Sequence, residues 1–251
     1  MQSRPDDGGG EKKKSEHYDS SDNEKGWDRY AEYWAGDFGA EFPNLGDEWT
    51  AEVGDSDFVQ MIEKEVFDRY LGERHTILEI GPGGGRITAS LLKYGPKRLI
   101  ACDVAGQMLD LIQQRFASDG RVETQKLTLG RGLAEVPKDI ADAIVSLEVF
   151  VHIDPHDIWE YVNSFWDVMR PGAIGLIHHS DTSTRQGFER FLADHPYCIN
   201  RQKPWSAFSV MSPEIFARMI EHRGFEPVAQ VRSLGQSEER DCLSIFRKPE
   251  G

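Results

Sequence analysis

Apolar positions in this chain alternate between two patterns. Continuous apolar runs of strand length occur at residues 75–80 (HTILEI), 97–104 (KRLIACDV), 141–147 (ADAIVSL) and 173–179 (AIGLIHH), and residues 122–127 read as a further strand. Runs of that kind fit strands covered on both faces. Between them, residues 58–71 (FVQMIEKEVFDRYL), 84–94, 105–116 (AGQMLDLIQQRF) and 156–170 repeat their apolar positions with helical spacing, the last stopping at Pro171-Gly172. Strand alternating with helix predicts a mostly parallel sheet with helices on both faces, an α/β class. The end of the chain breaks this rhythm. An irregular stretch over 182–210 precedes a helix over 212–223, with Ser212 as cap and Pro213 in its first turn. Two strands follow, over 225–232 and 241–247, joined by SLGQSEER, so a hairpin should close the sheet. No internal repeat is present.

Residues 1–25 are almost all polar and cannot bury enough apolar area to offset their ordering entropy, so they read as a disordered tail. Trp27, Tyr30, Ala31 and Trp34 then fall on one face of a short helix, with Phe38, Phe42 and Trp49 after them. Segment 26–54 is therefore a packed flap or a helical lid over a ligand pocket. The chain has 43 acidic and 29 basic residues and a net charge of -14, which repels phosphate backbones and argues against a nucleic-acid partner. Its three cysteines, Cys102, Cys198 and Cys242, form no pair by spacing, which suits a reducing compartment. With no membrane-length apolar run and no leader pattern, a cytoplasmic protein is expected.

The stretch LEIGPGGGRIT, residues 78–88, places glycines 81, 83 and 85 between a strand and a helix. Backbone without side chains can turn sharply there and approach a nucleotide-like ligand. A dinucleotide loop would need a sixth-position glycine, and that position is Arg86. Asp103 closes the next strand, where a carboxylate can accept both hydroxyls of a ribose.

These stretches, followed by DAIVSLEVFVHID and RPGAIGLIHHSD, make the chain resemble a class I S-adenosylmethionine-dependent methyltransferase over about residues 55–250. The resemblance implies a Rossmann-like seven-stranded sheet with an antiparallel last strand, and S-adenosylmethionine as cofactor with S-adenosylhomocysteine as product. Gly81, Gly83 and Gly85 would pack on its methionine part and ribose, with Glu79 orienting that loop or meeting the ammonium through water. Asp103 would hold the ribose, Met108 would lie on the adenine, and the Leu147 carbonyl would face the ammonium beside Glu148. Many members place an aspartate after the third strand to bond the adenine amino group. Here the run is QKLTLG, so Thr128 or backbone near Leu129 must serve.

Methyl transfer to a hydroxyl benefits from a base that removes its proton. His152 is the first candidate, in EVFVHID after the fourth strand, although a histidine there can also merely bond the loop. His178 and His179 follow; as neighbours in a strand they face opposite sides, so at most one meets the pocket. For the same reason a metal set of His178, His179 and Asp181 is disfavoured, and no metal is expected. Segment 182–210 reads as a substrate-cap insertion. It carries Arg185, Arg190, Arg201 and Lys203, with Phe188, Tyr197, Trp205 and Phe208 interleaved. The function expected is methylation of a small-molecule acceptor, on a sugar or metabolite oxygen. N-methylation and a non-catalytic cofactor-binding regulator are the alternatives; no motif such as NPPY points to amino-directed base methylation. The oligomeric state is not legible.

Overall fold

The continuous apolar runs form the inner strands of one sheet, buried because each is flanked by others and covered on both faces. A computed structural model describes residues 21–33, 56–72, 75–199, 207–232 and 240–251. Its strands are β1 (Thr76–Ile80), β2 (Arg98–Asp103), β3 (Val122–Lys126), β4 (Ala141–Ser146), β5 (Met169–Ser180), β6 (Glu226–Val231) and β7 (Asp241–Arg247). They make one seven-stranded sheet in the order β3-β2-β1-β4-β5-β7-β6. The pairs among β1 to β5 are parallel, whereas β7 runs antiparallel to both β5 and β6.

Alternation of side chains across the strands sorts the core into two layers. On one face Ile77, Leu99, Val145, Leu176 and Ile245 pack against α2 (Ser56–Ile62), which continues as a wider helical turn over Glu63–Leu71, and against α3 (Arg86–Leu91) and α4 (Gly106–Arg115). On the other face Leu78, Ile100, Ile144, Ile177 and Phe246 meet α5 (Pro155–Val168) and α7 (Pro213–Arg223). Each layer buries large aliphatic and aromatic side chains, the main favourable contribution to folding. The end signals also operate. Asp154 caps α5 by accepting from the His156 N–H at 2.9 Å, and Ser212 caps α7 through the Ile215 N–H at 3.4 Å.

Three expectations need correction. Segment 182–210 is not irregular throughout: residues Arg185–Ile199 form a helix, α6. Ion pairs one turn apart, Arg185–Glu189 and Arg190–Asp194, both 2.9 Å, support it where no continuous apolar face announces it. The Thr184 hydroxyl accepts the Gly187 N–H at its start. Second, α1 (Ser21–Tyr33) begins inside the stretch read as a tail, because packing on α4 supplies what local composition lacks. Third, β5 starts at Met169, before Pro171-Gly172, and absorbs these two through a register irregularity opposite Ala141 and Ala143. Trp34, Phe38, Phe42, Trp49, Arg201, Lys203, Trp205 and residues 1–20 lie outside the described residues. Among the described residues no helix is long and apolar enough to cross a membrane.

Candidate active site

The chain leaves β1 toward β2 and β3 on one side, while β4 leads to β5 on the other, so a crevice opens at the strand ends between β1 and β4. The glycine loop lies there. The Gly81 N–H donates to the Cys102 carbonyl at 2.8 Å and the Gly85 N–H to the Pro82 carbonyl at 2.9 Å, which folds the loop tightly. Gly81, Gly83 and Gly85 have φ of 70°, 52° and 86°, the left-handed region. A Cβ on Gly81 would stand 2.2 Å from Val149 Cγ2, and one on Gly85 2.6 Å from the Phe116 ring. Room and conformation both require glycine.

Glu79 is buried beneath this loop, and its Oε2 accepts the Thr88 hydroxyl at 2.6 Å, tying β1 to α3. Burial pushes its carboxyl up to about 7, with Asp103 adding to the rise while Thr88 and Arg115 restrain it. Asp103, half-buried at the end of β2, accepts the Ala105 N–H at 2.7 Å, which fixes its carboxylate at the strand edge. It too is raised to about 7, chiefly by burial, against the pull of the Ala105 bond and Lys126.

Met108, in the first turn of α4, is covered by Ala31 of α1 and by Ala105. That helix is bolted down by polar contacts: Asp28 accepts the Gln107 N–H at 3.0 Å, and Gln107 reaches Glu32 at 2.6 Å. Thr128 is exposed and Leu129 half-buried in the loop after β3, beside Asp103 through the 2.8 Å bond from the Leu127 N–H to the Asp103 carbonyl.

Across the crevice Leu147 is buried, and the next residue, Glu148, adopts φ 61° without being glycine. Backbone strain of this sort collects at functional sites. The Glu148 N–H donates to His178 Nδ1 at 3.3 Å, and its Oε1 lies 3.3 Å from the same nitrogen. His178 Nε2 is 3.8 Å from Asp241 Oδ2, which Arg240 grips at 2.5 Å. The buried imidazole is thus held between two carboxylates, and its Nδ1 accepts the Glu148 N–H. Ligand atoms of Glu148, His178 and Asp241 come within 4.8 Å of one another, but the Arg240 guanidinium already supplies positive charge there.

His179 points the other way, as the strand period demands. It stacks on Phe216 at 4.5 Å, bonds Ser244 at 2.8 Å, and burial holds its pKa down at about 4. That is a neutral core histidine, far from the role first considered for it. Asp181 is likewise committed, to the Ser183 N–H, the Ser183 hydroxyl and Arg232. The set His178, His179, Asp181 is therefore not assembled.

His152, half-buried in the loop after β4, sits between two aromatic rings, Trp27 of α1 at 5.4 Å and Phe208 at 5.2 Å. Its Nδ1 is 3.4 Å from the Ala207 carbonyl. A proton on Nδ1 donated to that oxygen leaves Nε2 as the basic nitrogen. The Arg190 and Arg240 guanidinium groups lie over the Phe208 ring at 4.3 and 4.6 Å, and the Phe208 N–H donates to Asp194 at 2.9 Å. So α1, the β4 loop and the segment after α6 meet around one imidazole. The sequence did not single out Glu148, Asp241 and Arg240 as partners. The one local signal was the acidic residue directly after the strand-like run 141–147.

Comparison with known proteins agrees with this geometry. The family profile described as a methyltransferase domain matches residues 77–172, which span β1 through the start of β5. An uncharacterized methyltransferase of Schizosaccharomyces pombe is 33% identical over 66 residues, 26% of each chain. The ribosomal RNA small subunit methyltransferase A of Prochlorococcus marinus is 34% identical over 85 residues, covering 34% of this chain and 30% of that protein. The aligned parts thus span about a quarter to a third of these curated relatives. Among solved structures, the N-methyltransferase NodS of Bradyrhizobium japonicum in complex with S-adenosylhomocysteine superposes with a TM-score of 0.61 at 18% identity, over 90% of this chain and 100% of that one.

Proposed function

We infer that this chain, a class I S-adenosylmethionine-dependent methyltransferase by its domain match and its fold, methylates a small-molecule acceptor, on oxygen, with His152 as the base. The residues present fit the cofactor. The loop leaves room only for backbone at Gly81 and Gly85, and Asp103 offers a carboxylate at the strand end where a ribose belongs. Bound there, S-adenosylmethionine supplies an activated methyl group. The chain's own part is to align the acceptor, exclude water and remove its proton. Glu79 holds the glycine loop, Asp103 holds the ribose hydroxyls, and the Leu147 carbonyl faces the ammonium. Trp27 and Phe208 shield the reacting face, while His152 Nε2 takes the proton of the acceptor hydroxyl.

The observation that carries this reading is His152 between Trp27 and Phe208 in the loop after β4. One relative is named for ribosomal RNA, but a net charge of -14 favours a small acceptor over a phosphate backbone here. Glu148 supports a second reading. Its half-exposed carboxylate at the same edge suits an ammonium group, so an amine acceptor is the competing class.

Calorimetric titration with S-adenosylmethionine, S-adenosylhomocysteine and NAD tests the cofactor. Micromolar binding of the two sulfur nucleotides and none of NAD is the expected result. An acceptor screen with the His152→Ala variant then tests the base: full activity in that variant removes His152 and moves weight to the amine class, which needs no base of this kind.

A further inference from the structure

Two buried polar atoms without a hydrogen-bond partner, Asp241 Oδ1 and Ser209 Oγ, lie at one edge of the sheet. Asp241 opens β7 opposite Ser180 at the end of β5, and its side chain is only 10% exposed. Its other oxygen, Oδ2, is taken by Arg240, which donates from Nε at 2.8 Å and from Nη2 at 2.5 Å. Ser209 is fixed through its backbone. Its N–H donates at 2.6 Å to the carbonyl of Val151, the neighbour of His152, and its own carbonyl accepts the Ser180 hydroxyl at 2.6 Å. Both residues therefore adjoin Ser180, on the β4–β5–β7 side of the crevice and away from the glycine loop. Leaving a buried acceptor unbonded is unfavourable, and more so when it is charged.

The charges around Asp241 do not balance. Glu148 and Asp241 each carry a carboxylate, and these approach His178 and one another within 4.8 Å. His178 enters as a neutral ring: its Nδ1 accepts the Glu148 N–H at 3.3 Å, so its proton sits on Nε2, 3.8 Å from Asp241 Oδ2. Arg240 is the cation between the two carboxylates, bonded to Asp241 and 4.0 Å from Glu148 Oε2. One guanidinium against two carboxylates leaves a net negative charge. The neighbouring arginines have carboxylates of their own, Arg232 with Asp181 and Glu214, and Arg190 with Asp194. The group that completes this edge is a cation that donates hydrogen bonds. A divalent metal ion fits poorly, because Nδ1 is spent on the Glu148 N–H and Oδ2 on Arg240, which leaves too few ligands. A primary ammonium presents three donors and needs only oxygen acceptors.

We propose that the methyl acceptor is an amino alcohol, whose primary ammonium group is anchored by Asp241 Oδ1 and the Glu148 carboxylate while a separate hydroxyl is methylated. This rests on the reading above, with that hydroxyl at His152. Anchor and base are joined through one ring. Phe208 lies 5.2 Å from His152, and the Arg240 guanidinium that holds Asp241 lies over the same ring at 4.6 Å. Ser209, next in the chain, ties the loop of His152 to the strand end opposite Asp241 and offers its hydroxyl to the same molecule. Gripping the ammonium orients the hydroxyl end, which is the alignment that methyl transfer needs. A polyol with a hydroxyl in place of the amine leaves the negative charge uncompensated, so the site rejects it.

The test is methyl transfer from S-adenosylmethionine by the whole chain to a panel of amino alcohols, from ethanolamine to aminohexoses, each beside the polyol with a hydroxyl in place of the amine. Mass spectrometry locates the methyl group in the product. Wild type should methylate an oxygen of at least one amino alcohol with kcat/KM about 30-fold or more above that of its polyol. Asp241→Asn, which removes the charge and keeps the shape, should raise KM for the amino alcohol about tenfold or more and bring the ratio to within about threefold. Its affinity for S-adenosylhomocysteine should not change. Equal use of both members of every pair overturns the proposal without needing any variant to fold. So does failure to methylate any amino alcohol by protein that binds S-adenosylhomocysteine, or a ratio in Asp241→Asn equal to that of wild type. Transfer to nitrogen also overturns it and leaves the amine class of acceptor. Methylation of polyols alone that depends on His152 removes the anchor and keeps the proposed function, whereas failure of wild type to bind S-adenosylhomocysteine removes the cofactor assignment itself.

Discussion

The two sides of the crevice are built by different means. The β1–β2–β3 side uses backbone: three glycines with positive φ, a buried glutamate under them and an aspartate whose rotamer is set two residues away by Ala105. The β4–β5–β7 side uses side chains drawn from the whole length of the chain. Trp27, His152 and Phe208 meet in one aromatic group, and Glu148, His178 and Asp241 in one polar group. A local motif can hold a shared cofactor because the ligand's shape is fixed. An acceptor pocket needs surfaces that can change independently, and long-range assembly allows that.

The largest effect should come from breaking the backbone side at its tightest point. Gly81→Ala places a methyl group against Val149 in a backbone conformation that alanine resists, for about 3 kcal/mol in lost stability or lost cofactor affinity. Melting temperature and calorimetry read the two. Adding Val149→Ala separates steric conflict from strain: recovery of more than half the loss assigns it to the clash, and none assigns it to φ.

On the side-chain half, His152→Ala should slow turnover about 10²- to 10⁴-fold with cofactor affinity unchanged. Equal loss of affinity would mean that His152 supports the cofactor wall and not the acceptor. Asp103→Ala should be smaller, weakening S-adenosylhomocysteine about 10- to 100-fold by loss of charge-assisted bonds. Unchanged affinity removes the ribose assignment.

Titration sharpens the contrast further. Asp103 is raised to about 7 in the unliganded protein, and ribose hydroxyls favour its ionised form. Affinity should therefore rise with pH up to about 7 and level above it, and Asp103→Asn should flatten the profile. His179 acts in the opposite sense on stability. Its folded pKa of about 4 lies below the unfolded value of about 6.5, so the unfolded chain takes up its proton first. Stability should fall from pH 6.5 toward 4 by at most ~3 kcal/mol from this group, and a His179→Leu variant should lose that slope in urea midpoints across the range. The smallest change should follow Arg185→Ala, whose partner Glu189 is exposed on the surface of α6; a shift in melting temperature near zero is expected.

Much of the framework was legible because its signals are local. Seven strands, the antiparallel end and the cap Ser212 follow from runs, periods and end residues that each act within one element. The glycine loop was legible for the same reason: φ above zero and lack of room leave glycine as the residue that fits, whatever lies elsewhere. Helix α6 was not, since its support is two ion pairs and a place beside Phe208, and its apolar residues Phe188 and Leu192 are exposed. Only the tertiary structure decided between His178 and His179, which the strand period sends to opposite faces of the sheet. It alone brought Arg240 and Asp241 to Glu148, and Trp27 to His152, across more than ninety residues of chain in each case. Sequence determines the elements and the backbone-built half of the site because their energetics are set by neighbours in the chain. The side-chain half depends on packing between elements, and no local pattern encodes which distant residue fills the space.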